Sequence, residues 1–540
     1  MRNMSETRKW YMPPPAIQEK DIVRIETADV VVVGLGYAGT AAVRAVAEEG
    51  ASVLGIECRK EKGNVMFGSD IAQINSKFAK SRGVPEIDMI DFFNDWQIRS
   101  NNRANPRLLM EFCRKSGDNF DWMLEVCTQE EIDCIRIKHA IPPKYFNSDI
   151  NGIRYWMGTA FIHERYGLST TDVMRANLQR AKEYGARLFY EMAGQQLIKE
   201  NGKVIGVVAK QADASYVRIN AKKAVILAAG DFSGNAMMVH DLCTEMVSLA
   251  DEGQILRGSG RDGSGIMMGI WAGGRMTPGP IAVMGGNYFY PNGIVGNTAA
   301  LWLNDDGQRF CNEGFGGDMV FAALEGARLP GDKVTTIFDA NILEHLEYQS
   351  IGHCSMDTSE TSEIEAFSPV LLRKRLEMAR TAGKNGYALT GHGFSNGKGN
   401  KVTIYATDTL EELAVRLGYA GENKENFIAS VERYNKLCEN KRDEDFGKDP
   451  SLLLPYNTPP YYGFQKEVYV GNEFLCTVDG LWTDDKQNVL DMSKKTIPGL
   501  YATGNCCGRR WGVQYSTSIG GLSIGMAWTL GREVGKNAVI

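Results

Sequence analysis

The sequence predicts an α/β protein in which a parallel sheet and a β-meander are interrupted by an inserted α+β domain. Three features carry that reading: the stretch 29–57, the hairpin pattern over 186–229, and a change of rhythm between 286 and 461. In the first, residues 30–33 are a valine run suited to a strand buried on both faces. Gly34, Gly36 and Gly39 follow at G-x-G-x-x-G spacing, giving a tight turn, a close approach to a pyrophosphate and close helix-on-strand packing. The Ala-rich segment 40–49 predicts a helix whose first N–H groups face that pyrophosphate. A second strand, 52–56, ends in Glu57, placed to accept from the ribose hydroxyls of an adenosine. Strand, turn, helix, strand and acid in this order mark a Rossmann-type half.

Bulk properties set the frame. A length of 540 residues suggests about two to four domains. Apolar and charged fractions of 43% and 23% are those of a soluble globular protein, and a net charge of −6 argues against nucleic-acid partners. Eleven cysteines show no C-x-x-C spacing, and Cys506 and Cys507 are adjacent, so no metal, cluster or haem site is expected. They read as reduced thiols. The N-terminus lacks an apolar signal core, and no run approaches the ~18 apolar residues of a membrane span. A cytoplasmic protein without a membrane span is expected.

Taken in order, residues 1–27 read as an arm in which Pro13, Pro14 and Pro15 forbid regular structure. The loop after Glu57 is polar and Gly-punctuated, lying against the adenosine and diphosphate or forming a surface connection. Helical patterns occupy 88–134. Thr170, Thr171 and Asp172 cap a helix running to Tyr184. A meander follows, with the Asn201-Gly202 turn between alternating apolar runs, and 224–229 is a further buried strand ending at Gly230. The segment 258–265 repeats the glycine spacing but follows no apolar strand, so a second nucleotide site is not expected. From 286 to 461 the βαβ rhythm is lost, with capped helices near 409 and 424–440, and the Pro- and Tyr-rich stretch 454–462 reads as the return linker. The expected division is 28–285 with 462–540 as one domain and 286–461 as the insertion. The tail adds a strand, a glycine-rich loop and a helix beginning at Gly520 and Gly521.

These pieces resemble the FAD-binding fumarate reductase and succinate dehydrogenase flavoproteins, with their 3-ketosteroid dehydrogenase and urocanate reductase relatives. The resemblance rests on G-L-G-Y-A-G with Glu57, A-A-G-D-F-S-G-N (228–235), R-D-G-S-G-I-M-M-G (261–269), N-D-D-G-Q-R-F-C-N-E (304–313), T-D-T-L-E-E-L-A (407–414), I-P-G-L-Y-A-T-G-N (497–505) and I-G-G-L-S (519–523). It implies non-covalent, extended FAD and a capping domain over the isoalloxazine. Gly34, Gly36, Ala38, Gly39 and Glu57 would hold the adenosine and diphosphate, and Cys58, Gly68, Ser69, Ala193, Ala229, Gly230 and Asp262 would be further cofactor-binding residues. Gly504, Asn505, Ser518, Gly520, Gly521 and Leu522 would face the flavin, the helix end favouring the anionic reduced form.

Departures narrow the expectation. Fumarate reductases carry an arginine where this chain has Ser518, another near Gly317, and a histidine near Gln514. Without these groups a dicarboxylate would be poorly neutralised in a dry site. Gly504-Asn505 and Tyr515 lean toward the ketosteroid branch, although that branch's second tyrosine, after N-E, is missing. The implied chemistry is hydride transfer between flavin N5 and a carbon β to a carbonyl, in reduction or dehydrogenation, on a ring-shaped or aromatic, largely apolar substrate.

Tyr515 is the candidate donor to the carbonyl oxygen or the acid, or a packing residue at the flavin edge. N–H groups near Gly520 would assist as an oxyanion hole. Arg510 contacts substrate or forms a structural ion pair. Tyr290, in an aromatic run, lines the pocket or packs a core. Arg309 and Glu313 are expected to pair or brace the cap. Electrons would come from a separate flavoprotein, reduced flavin or ferredoxin. The rival readings are a flavin monooxygenase or oxidase, or an FAD subunit of a larger complex.

Overall fold

The structure, a computed structural model, describes residues 9–139, 141–150, 152–284, 295, 300–314, 331, 333–351, 355–361, 368–389, 395–396, 400–467 and 474–540. The valine run is the end of a longer strand, Ile22–Val33, and all four valines are buried. It sits mid-sheet because β-branched side chains pack on both of its faces. Strand order is Asn488–Leu490, Thr496–Ala502, Tyr216–Leu227, Ile22–Val33, Val53–Ile56, Arg187–Phe189, and the last five are parallel. The helix Tyr37–Glu48 supplies the crossover that a parallel pair requires. Met192–Glu200 and Lys203–Gln211 form the expected antiparallel hairpin, with Asn201 and Gly202 both at positive φ.

Three elements differ from expectation. The first strand begins inside the supposed arm, where Ile22–Ala28 pairs in parallel with Tyr216–Ala221, with one register shift between Ile22 and Arg24. The strands expected over 216–220 and 224–229 are one continuous strand, Tyr216–Leu227, with Lys222 and Lys223 exposed along it. The helix Thr170–Glu183 is capped by Ser169, whose hydroxyl accepts from Asp172 N while the Asp172 carboxylate accepts from Ser169 N.

A second, antiparallel sheet runs Leu301–Leu303, Lys333–Phe338, Tyr461–Glu467, Asn400–Thr407, Tyr387–Leu389. Tyr461–Glu467 is its middle strand, so this body extends to Glu467 and the chain returns to the first sheet beyond it. Helices Pro369–Ala382, Leu410–Arg416 and Gly421–Glu439 cover it, around a core that includes Phe338, Phe464, Phe427 and Tyr434. Arg309 and Glu313 do pair: the guanidinium also forks onto Asp443, and Lys448 lies 3.5 Å from Glu313.

Helices Met89–Arg99 and Pro106–Leu124 pack with the C-terminal helix Leu522–Asn537 around Trp96, Phe112, Trp511, Tyr515, Leu522 and Met526. Among the described residues, no helix is long and apolar enough to cross a membrane.

Candidate functional site

The parallel strands end side by side. Ala228 N donates to Val33 O at 2.8 Å and Thr503 N to Leu227 O at 2.9 Å. Gly34, Ala229, Gly230, Gly504 and Asn505 therefore leave the sheet together, at the carboxyl edge where open α/β sheets bind ligands. Gly34 has φ +99°, and a Cβ there would lie 2.5 Å from Ala228 O; a Cβ on Gly39 would lie 1.8 Å from Gly34 O. Gly36 is the opposite case. Nothing stands within 4 Å of its added Cβ, so backbone open to a ligand caps the first helix. Glu57 is 5% exposed, its Oε2 accepting from Leu35 N at 3.0 Å and its Oε1 from Arg59 N at 3.1 Å and the Cys58 thiol at 3.3 Å. A carboxylate has about four lone-pair directions, so Oε2 retains one for a ribose hydroxyl. These residues fit the diphosphate and ribose of an FAD.

The neighbouring residues named from sequence converge here. Met192 N donates to Glu57 O, which sets Ala193 beside the acid. Asp262 caps the turn to Ser264 and lies within electrostatic reach of Cys58. Burial, with Glu57 second, pushes the Cys58 thiol up to about 11. Gly68 accepts from the Tyr37 and Thr170 hydroxyls and packs on Ile524 of the C-terminal helix, and Ser69 O accepts from Ile162 N. The second glycine-rich segment is spent internally. Gly260 N donates to the Ser233 hydroxyl and Arg261 N to Asp231, whose carboxyl burial pushes up to about 6.

At the other end, Gly521 (φ +82°) caps the C-terminal helix, and an added Cβ would lie 2.3 Å from Asp70 O. Gly520 O accepts from the Thr159 hydroxyl, Ser518 O accepts from Trp156 N, and Leu522 is buried at the first helical position. The first N–H groups of a helix lack intrahelical acceptors. One of them, Ser523 N, donates to the Tyr515 hydroxyl at 3.3 Å. Tyr515 is 1% exposed, its ring packs tilted against Trp511 at 4.6 Å, and burial pushes its hydroxyl well up. Its own proton has no acceptor among the described residues.

Arg510 is fully buried beside it. Nε donates to Cys507 O at 2.9 Å, and Nη2 to Val478 O and to Asn505 Oδ1 at 2.8 Å, while Nη1 has no partner. Arg510 thus meets Asn505, and Tyr515 meets the head of the C-terminal helix that follows Gly520 and Gly521. Tyr290 and Gly317 lie outside the described residues. Sequence reasoning missed Asp479, 2% exposed, whose carboxyl burial pushes up to about 7 against the pull of Arg510 and the N–H groups of Arg510, Gly480 and Arg509. The available signal was an acid set between Val478 and Gly480 in an otherwise apolar strand-like run. Among the described residues, no cluster of His, Cys, Asp or Glu could hold a metal ion.

Two glycine ends on one α/β edge define the class: a Rossmann-type flavoprotein. The chain belongs to the FAD binding domain family, whose sequence model matches residues 29–524. It is 24% identical over 538 residues to a vinyl phenol reductase of Lactiplantibacillus plantarum, covering 96% of this chain and 97% of that one. It is 26% identical over 569 residues to a fumarate reductase (cytochrome) of Shewanella frigidimarina, covering 99% and 83%. In fold it is similar to the 3-ketosteroid-Δ4-(5α)-dehydrogenase of Rhodococcus jostii, with TM-score 0.65, 20% identity and coverage of 98% and 100%. The protein is an FAD-dependent oxidoreductase.

Proposed function

We propose that this protein reduces or forms a carbon–carbon double bond conjugated to a carbonyl, on a ring-bearing, largely apolar small molecule, using non-covalently held FAD. When bound, FAD supplies the hydride acceptor or donor at N5. The chain supplies the rest. Gly34, Gly36, Ala38, Gly39 and Glu57 hold the adenosine diphosphate half, with Cys58, Gly68, Ser69, Ala193, Ala229, Gly230 and Asp262 around it. Gly504, Asn505, Ser518, Gly520, Gly521 and Leu522 hold the flavin end.

The observation that carries this reading is the Tyr515 hydroxyl. It accepts from Ser523 N at the head of the C-terminal helix and keeps its own proton unspent. A phenol polarised in this way donates to a substrate carbonyl oxygen, or delivers a proton to the carbon beside it. Arg510 offers its remaining N–H to the substrate away from that carbonyl, and Tyr290 is the further residue assigned to the substrate. With Ser518 where a carboxylate clamp would need a cation, the guest is neutral or singly charged. Relatives named for a vinyl phenol and for fumarate support a C=C substrate.

Electrons come from a separate flavoprotein, reduced flavin or ferredoxin. The setting is cytoplasmic, in keeping with ten described cysteines that are all free thiols.

The test is an anaerobic panel of conjugated ring enones, aryl acrylates and fumarate offered to the photoreduced yellow protein, followed by flavin reoxidation. Ring enones or aryl acrylates reoxidise it and fumarate does not. Acid precipitation releases the FAD. Reoxidation by none of these compounds, or flavin retained in the pellet, contradicts the corresponding part of the reading.

A further inference from the structure

The segments around Asp479 and Arg510 run together: Leu481 N donates to Cys506 O and Gly508 N to Leu481 O. Four buried polar atoms in or against them have no partner among the described residues: Asp479 Oδ1, Arg510 Nη1, Trp511 Nε1 and Thr277 Oγ1. Thr277 belongs to the group because a Cβ added at Gly508 would lie 2.0 Å from its hydroxyl oxygen. The four residues are 0–4% exposed. Buried polar atoms are nearly always paired, so four unpaired ones along two adjoining segments call for a guest.

The chemistry of that guest follows from the two charged members. Asp479 feels the charge of Arg510 and the dipoles of neighbouring backbone N–H groups, yet Arg510 Nη1 makes no hydrogen bond to it. An incoming carboxylate would satisfy Arg510 and be repelled by Asp479. A carbonyl would satisfy Arg510 and leave Asp479 Oδ1 unpaired. A hydroxyl satisfies both, donating to the acid and accepting from the guanidinium.

We propose that Asp479 and Arg510 together bind a hydroxyl group carried by the substrate's ring, so that the preferred substrates are phenols or ring alcohols bearing the conjugated alkene. This rests on the reading above that the substrate lies against Arg510 and Tyr515. The position of Asp479 beside Arg510 and the orphaned atoms around them are its independent support. A hydroxyl donating to the Asp479 carboxylate makes the stronger, charge-assisted bond.

The test uses FAD-loaded protein and a matched pair of aryl enones, one with a para-hydroxyl and one without, titrated against the oxidised flavin spectrum. Wild type binds the hydroxylated member at least about 30-fold more tightly, because its partner leaves a charged group unpaired. Asp479→Asn narrows the preference to within about threefold. The wild-type comparison needs no variant, so a misfolded Asp479→Asn leaves the proposal testable. Equal binding of the pair by wild type, or an undiminished preference in a folded Asp479→Asn, overturns it and assigns the four atoms to water. If neither compound binds or reoxidises the flavin, the functional reading falls, and this inference with it.

Discussion

Gly531 of the C-terminal helix lies against the backbone of Ala38 in the first helix: a Cβ added at 531 would stand 2.4 Å from the Ala38 carbonyl oxygen. One turn on, Gly535 meets Ala42 in the same way at 2.7 Å, and a Cβ on Gly504 would lie 2.9 Å from the Ala38 Cβ. The helix that begins at Gly36 and the helix that begins at Gly521 are locked together through Ala38 and Ala42. The spacing between the two glycine ends is therefore set by small residues rather than by a linker.

Gly531→Ala tests that lock. Within an isolated helix the change would gain roughly 1 kcal/mol, but here the new methyl meets backbone that cannot move aside. Overpacking costs about 1–3 kcal/mol, so the variant melts below wild type and binds FAD more weakly. Gly535→Ala, with a few tenths of an ångström more room, loses less. Thermal melts and flavin content per chain check both.

Tyr515→Phe separates chemistry from packing. The ring stays against Trp511 and FAD content is kept, while loss of the hydroxyl leaves Ser523 N without its acceptor, costing about 1–3 kcal/mol. Turnover of a conjugated enone falls about 10²–10⁴-fold, the usual contribution of a positioned acid. Single-turnover reoxidation of the reduced enzyme reads the step directly. An unchanged rate would return Tyr515 to a packing role.

How much of this was written in the sequence follows from the range of the forces involved. The valine run, the glycine spacing, Glu57 and the Asn201-Gly202 turn are local signals, and the structure keeps each one. Ser169 escaped notice because three polar residues follow it and the capping box depends on which carboxylate folds back. The true start of the central strand, Ile22, was hidden by a polar alternation that becomes a strand only when Tyr216–Leu227 pairs with it. Asp479 was illegible for the same reason. Its significance comes from Arg510, thirty-one positions away and brought near by the tail's return.

The buried charge cluster in the second body gives a pH prediction. Burial alone would push Asp443 up, but hydrogen bonds and charge from Arg309, with the N–H groups of Lys448 and Phe446, hold it down at about 2. A folded-state value below the unfolded one of about 3.9 means stability that is fully present above that value and lost as pH falls toward 2. Urea midpoints between pH 5 and 2.5 fall in wild type and fall less in Asp443→Asn, if that variant is folded at pH 5. Arg309→Met, which leaves Glu313 and Asp443 buried with Lys448 as their remaining cation, costs about 3–5 kcal/mol.

The most direct measurement is FAD titration into deflavinated wild type and Gly36→Val. The open space around Gly36 lets the apoprotein accept a side chain there without a clash, at about 1 kcal/mol for a poorer N-cap, but on the proposed reading that space takes the diphosphate. The account predicts one FAD bound per wild-type chain and affinity at least about tenfold weaker in the variant, a loss of roughly 1.4 kcal/mol or more. Equal affinity in the two proteins, or no FAD uptake by wild type, would contradict it.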